Sequence, residues 1–154
     1  MEQTIHIELF EVLTPSIAEQ IVAISHRIPE FNEPYKREEY YARLEGVSCC
    51  LLFAKIDEHL AGFKLGYGKS SRVFYSWMGG VLPAYRKIGV AKTLAQHQEQ
   101  WAVEKEYEFI QMKTRNYLKN MLHFALSNQF YITGIEAYPN PLDNRILLEK
   151  ALKG

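Results

Sequence analysis

The chain has 154 residues and a mass of 17.9 kDa, the size of a single domain, and one domain over residues 1–154 is expected. Apolar residues make up 47% and charged residues 23%, which excludes a disordered or collagen-like chain. Eighteen basic residues balance eighteen acidic ones, so the basic excess of a nucleic-acid binder is absent and no nucleic-acid partner is expected.

Residues 5–12 alternate weakly and read as a first strand. Glu2, Glu8 and Glu11 stand where a secretory leader would place basic and then apolar residues, so no leader is expected. Thr14-Pro15 then reads as an N-cap followed by proline at the first helical position. Ile17, Ile21, Ile24 and Ile28 form one helical stripe that ends before Pro29. Pro34 opens a shorter helix with Tyr40, Tyr41 and Leu44 inward, closed by Gly46.

Three β-rich runs follow at residues 47–56, 60–68 and 72–81, separated by short polar turns, which predicts an antiparallel meander. Cys49 and Cys50, the only cysteines, are sequence neighbours inside an apolar run. They read as buried thiols in a reducing, cytoplasmic compartment. After Pro83 the period turns helical, with Ile88, Ala91, Leu94, Ala95, Gln98, Trp101 and Ala102 on one face. A strand at 108–114, a helix carrying Leu118, Met121, Leu122 and Ala125 to about Ser127, and a strand at 130–136 come next. The charge-free stretch 120–135 is shorter than the ~20 residues a membrane span needs, so no membrane association is expected. Residues 145–152 fit helix or strand on their own pattern. The strand–helix–strand step across 72–114 requires one parallel pairing in an otherwise antiparallel sheet, hence a mixed α+β fold.

Gly66-Tyr67-Gly68-Lys69-Ser70 resembles part of a phosphate loop. It lacks the leading glycine, since Phe63 stands there, and it precedes a strand rather than a helix, so it reads as a strand end and a polar turn. His6, His26, His59, His97 and His123 show no metal-ligand spacing, and no metal site is assigned. No serine sits in a glycine-flanked nucleophile elbow.

The informative stretch is residues 77–92. A strand ends in Gly79-Gly80, turns at Pro83 and enters a helix through Arg86-x-x-Gly89-x-Ala91. A helix N-terminus offers unpaired N–H groups and a positive dipole end, which suits a diphosphate. Gly89 admits close approach to the backbone, Ala91 keeps the next turn small, and Arg86 and Lys87 add charge. Glycines inside a strand suggest a bulge or a close approach by another extended chain.

In this order the sequence resembles the GNAT superfamily of N-acetyltransferases. Arg86, Gly89 and Ala91 take the three places of its Gln/Arg-x-x-Gly-x-Gly/Ala signature, and Val81-x-Pro83 matches the approach to it. Residues 120–130 resemble the family's second conserved helix and following strand, and residues 145–150 its terminal strand, which tips the tail toward β. The resemblance is good over about 45–154 and topological before that.

What the resemblance implies is a mixed, mostly antiparallel sheet of about seven strands flanked by about four helices, with strands 72–81 and 108–114 splayed into a V. Acetyl-CoA, as co-substrate, would lie there. Its pantetheine arm would pair with backbone around Gly79, Gly80, Val81 and Leu82, and its diphosphate would rest on Lys87, Ile88, Gly89, Val90, Ala91 and Lys92, with Arg86 nearby. Asn116 or Asn120 would bond the arm, although Leu118 holds the family register.

Ala125 stands where many members carry a tyrosine acid, and His123 and Ser127 point elsewhere around the helix. The strand 72–81 lacks the glutamate that some relatives use as base. No catalytic acid or base is therefore assigned. Glu30, Glu33 and Glu38 read as solvated, and Phe31, Tyr35, Tyr40 and Tyr41 as a core stripe with an acceptor wall as the alternative.

The expected activity is transfer of acetyl from acetyl-CoA to a primary amine of a small molecule or peptide by direct attack on the thioester. The alternative is a non-catalytic acyl-CoA-binding sensor or partner module, to which the missing tyrosine points. Edge strands in the C-terminal half suggest a homodimer.

Overall fold

The computed structural model describes residues 4–152. Seven strands and four helices follow in the expected order: β1 (His6–Phe10), α1 (Pro15–Ser25), α2 (Arg37–Leu44), β2 (Cys49–Ile56), β3 (His59–Gly68), β4 (Val73–Val81), α3 (Val90–Glu104), β5 (Phe109–Arg115), α4 (Lys119–Ser127), β6 (Tyr131–Glu136) and β7 (Arg145–Ala151). The ambiguous tail is a strand, as the resemblance implied. Single 3-10 turns at Pro83–Tyr85 and Pro141–Asp143 complete the path.

The strands form one sheet in the order β1-β2-β3-β4-β5-β7-β6. All neighbours run antiparallel except β4 and β5, which are joined through α3 and pair in parallel. Alternation along β2 divides the interior into two cores. Cys50, Leu52, Ala54 and Ile56 face α3 and α4, packing with Leu94, Trp101, Ala125 and Phe130. Cys49, Leu51 and Phe53 face α1 and α2, packing with Ile17, Ile21, Ile24, Tyr40 and Leu44. With both faces covered, β2 reads as a continuous apolar run rather than an alternating one.

Local chemistry explains several element ends. Thr14 Oγ1 accepts the Ile17 N–H at 3.2 Å and Pro15 opens α1, so both cap signals hold. α1 stops at Ser25, three residues before Ile28, which stays buried beyond it. α2 starts at Arg37, three residues after Pro34, and Gly46 with φ 77° follows its last turn.

Two expectations are corrected here. Ile88 and Ala91 are exposed, so the buried face of α3 is Val90, Leu94, Gln98, Trp101 and Ala102. The helix begins two residues later than its apolar period implied, because residues 87–89 adopt a loop with left-handed backbone at Lys87 and Gly89. The bulge in β4 lies at Trp77, where the pairing slips from Leu65↔Met78 to Gly66↔Ser76, rather than at Gly79 or Gly80. Those glycines answer to close packing. A Cβ at Gly79 would sit 2.7 Å from the Phe63 carbonyl oxygen, and one at Gly80 would sit 2.6 Å from Ile28 Cδ1. The stretch 66–70 is a strand end and a polar turn, in which Ser70 Oγ accepts the Arg72 and Val73 N–H groups.

Candidate active site

β4 and β5 stay paired only from Val73↔Phe109 to Ser76↔Met112. Beyond that point β4 runs on to Val81 and β5 to Arg115 without pairing with each other, so the sheet opens into a V whose closed end lies at Ser76 and Met112. The Leu82 N–H bonds the Ala61 carbonyl at 2.8 Å, which fixes which residues of β4 face β3. By antiparallel alternation Leu82, Gly80 and Met78 direct their backbone groups to β3, while Val81 and Gly79 direct theirs into the opening. Of residues 79–82, expected to pair with an extended ligand, Gly79 and Val81 present their backbone to the opening, and Gly80 and Leu82 do not. Geometry dictates this choice, and the register could be counted only once the bulge at Trp77 was located.

The mouth of the V is the start of α3. Gly89 is the N-cap with φ 94°, and among the described residues no side chain caps the helix. The N–H groups of Val90, Ala91 and Lys92 have no intrahelical acceptor by the geometry of a helix start. No acidic side chain occupies the first turn. Among the described residues nothing lies within 4 Å of where a Cβ at Gly89 would sit, so glycine serves the backbone angle there and leaves open space in front of the N–H groups. Lys87, Ile88, Ala91 and Lys92 are exposed around that space, and Val90 is buried beneath it.

Arg86 differs from the expectation of a free cation. Its Nε donates to the Val81 carbonyl at 3.0 Å, and Nη1 and Nη2 donate to the two Glu30 carboxylate oxygens at 3.0 and 2.8 Å. It therefore ties the turn after β4 to the α1–α2 connection. Glu30, expected to be solvated, is held below the usual carboxylate range by that guanidinium.

Asn116 is also engaged. Its Nδ2 donates to the Pro141 carbonyl at 3.1 Å and its N–H to the Asn144 carbonyl, so it fastens the β5–α4 turn rather than facing the cleft. Asn120 is exposed in the first turn of α4, and among the described residues its side chain has no hydrogen-bond partner.

At the closed end, on the α3–α4 side of the sheet, lies a cavity of about 20 Å3, the size of one water. Lys64, Ser76, Gln98, Met112, Ala125 and Phe130 are among its lining residues. On the opposite face Trp77, Tyr35, Tyr67 and Arg43 gather. The Arg43 guanidinium lies 4.6 Å from the Trp77 ring centre, its Nε donates to Glu39 and its Nη1 to the Tyr67 hydroxyl. Tyr40 is fully buried core, whereas Tyr35 is 41% exposed, so the aromatic stripe divides into a core part and a rim part. Sequence reasoning missed Arg43 and Tyr67 because they meet Trp77 only in the tertiary packing, Arg43 from α2 and Tyr67 from β3. Among the described residues no group of three or more His, Cys, Asp or Glu could hold a metal ion.

The family model for the acetyltransferase (GNAT) family matches residues 20–129. The chain belongs to that family. Its enzymes transfer acetyl with acetyl-CoA as co-substrate. The fold is shared with the ribosomal-protein-S18-alanine N-acetyltransferase from Escherichia coli, at 12% identity and TM-score 0.81 over 96% of this chain and 94% of that one. It is shared as well with a GNAT family acetyltransferase from Elizabethkingia anophelis with acetyl-CoA bound, at 19% identity and TM-score 0.71 over 96% and 97%. Ard1 from Thermoplasma volcanium matches at 15% identity and TM-score 0.76 over 94% and 97%. No curated protein matches the sequence.

Proposed function

We propose that this GNAT acetyltransferase acetylates a primary amine of a small molecule or peptide, working as a single domain over residues 1–154. The observation that carries the reading is the uncapped start of α3, with Gly89 left-handed and open space before it, at the mouth of the β4–β5 opening. The N–H groups at residues 87–92 receive the diphosphate of acetyl-CoA, and Lys87 and Lys92 add charge. Val81 and Gly79 hydrogen-bond the pantetheine arm as a partial strand in the gap that β5 leaves. Gly80 and Leu82 support this edge from the β3 side, and Asn120 stands beside the arm. Arg86 acts through the turn it fixes, not as a free cation.

The chemistry follows from the exposed edge of β4. A lysine-like amine has pKa ~10.4 and is rarely neutral at pH 7, so the acceptor reacts as its minority neutral form. Attack on the thioester carbonyl builds negative charge on oxygen, which an inward N–H of Gly79 or Val81 stabilises. The C–S bond then breaks and the thiolate leaves.

The acceptor enters from the α1–α2 face, where Tyr35, Tyr67, Trp77 and Arg43 border the opening. The exposed edge strand β6, with Tyr131, Ile132 and Ile135 at 74%, 49% and 61% exposure, supports a homodimer. Two buried free thiols support a reducing, cytoplasmic setting.

The test is thiol release from acetyl-CoA over a panel of spermidine, free amino acids, an aminoglycoside and short peptides with different first residues. Turnover of at least one amine supports the proposal. Stoichiometric acetyl-CoA binding with no turnover across the panel would instead assign the chain as a non-catalytic acyl-CoA-binding module.

A further inference from the structure

The closed end of the V holds a cation that the roles above leave unused. Lys64 sits on β3 opposite Gly79 of β4, on the sheet face covered by α3 and α4. A Cβ at Gly79 would lie 3.3 Å from Lys64 Cγ, so the missing side chain is what lets the lysine stem lie across β4. That course brings Lys64 into the same cavity as Ser76 and Met112, the last paired residues before the strands part.

The cavity is lined mostly by apolar groups and by two further features. Ala125 of α4 lines it with a side chain that carries no functional group. Gln98 of α3 is fully buried there, and neither its Nε2 nor its Oε1 has a hydrogen-bond partner among the described residues. A buried amide left with both ends open marks a polar spot where the sheet divides. Lys64 itself forms no ion pair among the described residues. The nearby carboxylate of Glu99 is held by Lys150 at 2.6 Å.

We propose that Lys64 is the proton donor to the thiolate that leaves when the thioester is broken. This rests on the acetyl-transfer reading, because it requires the pantetheine arm to run from α3 along β4 to Ser76 and Met112. In the step, the acceptor nitrogen forms its bond to the acetyl carbon and the C–S bond breaks. The Lys64 ammonium gives its proton to sulfur, and the surplus proton on the new amide nitrogen goes to solvent, from which Lys64 is recharged.

Proton affinities favour this transfer. Burial pushes the Lys64 ammonium down to about 8, opposed mainly by the negative field of Glu99 from α3. Lys150 from β7 faces the same Glu99 and offsets part of its field. A donor near 8 is about nine-tenths protonated at pH 7 and well matched to an aliphatic thiol, near ~8.5. An ordinary lysine, near ~10.4, would hold its proton too tightly to match. Cys50 itself is held neutral by burial and does not compete.

The test compares wild type with Lys64→Met, which removes the charge but keeps the length of the stem. Glu99 keeps Lys150 in the variant, so folding is expected to hold, as thermal melting will report. Lys64→Gln provides a second variant should methionine disturb packing. Using the best acceptor from the amine panel, kcat is expected to fall about 100-fold at pH 7 while acetyl-CoA affinity is kept.

The ratio of wild-type to variant kcat cancels the ionisation of the acceptor. It is expected to be constant below about pH 8 and to decline above it, as Lys64 loses its proton. A ratio near one, or a large ratio that does not change with pH, would overturn the assignment of Lys64 while leaving acetyl transfer standing. Wild type that neither binds acetyl-CoA nor turns over any amine would overturn the acetyl-transfer reading, and this proposal with it.

Discussion

Replacing Gly89 by aspartate separates binding from folding at the mouth of the cleft. No atom of the described residues stands within 4 Å of the new Cβ, so steric cost is small. The left-handed φ of 94° costs a non-glycine residue roughly 1–2 kcal/mol, though aspartate is among the side chains that tolerate it best. An N-cap carboxylate returns about 1 kcal/mol by accepting N–H groups of the first turn and meeting the helix dipole. Net stability should therefore change by about 1 kcal/mol or less, a melting shift of about 2–4 °C.

Binding should respond differently. A unit charge about 5 Å from the diphosphate, at an effective dielectric between ~20 and ~80, repels each unit of phosphate charge by about 1–3 kcal/mol. The same carboxylate also occupies N–H groups the diphosphate needs. Titration calorimetry with acetyl-CoA should show Kd raised at least about tenfold, with the loss shrinking as salt is added. Gly89→Ala, which adds strain without charge, should lose less. Unchanged affinity in a folded Gly89→Asp protein would refute the placement of the diphosphate.

Two further outcomes test the scaffold. Gly66→Ala should lower stability by about 2–3 kcal/mol, a drop of about 5–10 °C in Tm, because the added Cβ would clash with the edge of the Phe74 ring and lie 2.7 Å from the Tyr75 carbonyl oxygen. A melting temperature equal to wild type would show that β3 and β4 yield at that point. Acid should destabilise the protein through Glu11, which accepts from Trp101 and Lys105, and Glu30, which accepts from Arg86; both carboxyls are held below their ordinary value of 4.5. Their stabilisation is fully present above that value and is lost as pH falls below it, so Tm should be flat near neutrality and decline in acid. Glu11→Gln combined with Glu30→Gln should make the acid decline shallower, and an unaltered slope would contradict the assignment.

Elements with strong local signals were legible in the sequence. Thr14-Pro15 and the isoleucine stripe gave α1, and short polar turns gave the antiparallel run from β2 to β4. Gly89 and Ala91 located the start of α3 to within two residues. The hidden features are those decided across the sheet. Arg86 meets Glu30, 56 residues away, and Asn116 meets Pro141, so neither engagement has a local pattern. The bulge at Trp77 carries no glycine of its own, and the glycines next to it answer instead to Phe63 and Ile28.

Lys64 is instructive because a signal was present. Phe63-Lys64-Leu65 looks like a strand with a solvent-facing lysine. The unbroken apolar run of the neighbouring β2 already required cover on both faces, so a lysine beside it on β3 had to lie at least partly under that cover.

The most direct measurement is a crystal structure of the protein soaked with acetyl-CoA. The diphosphate oxygens are expected at hydrogen-bond distance from N–H groups at residues 88–92, with the pantetheine chain alongside Gly79 and Val81. Density for the nucleotide at any other surface, with the start of α3 left bare, would contradict the account.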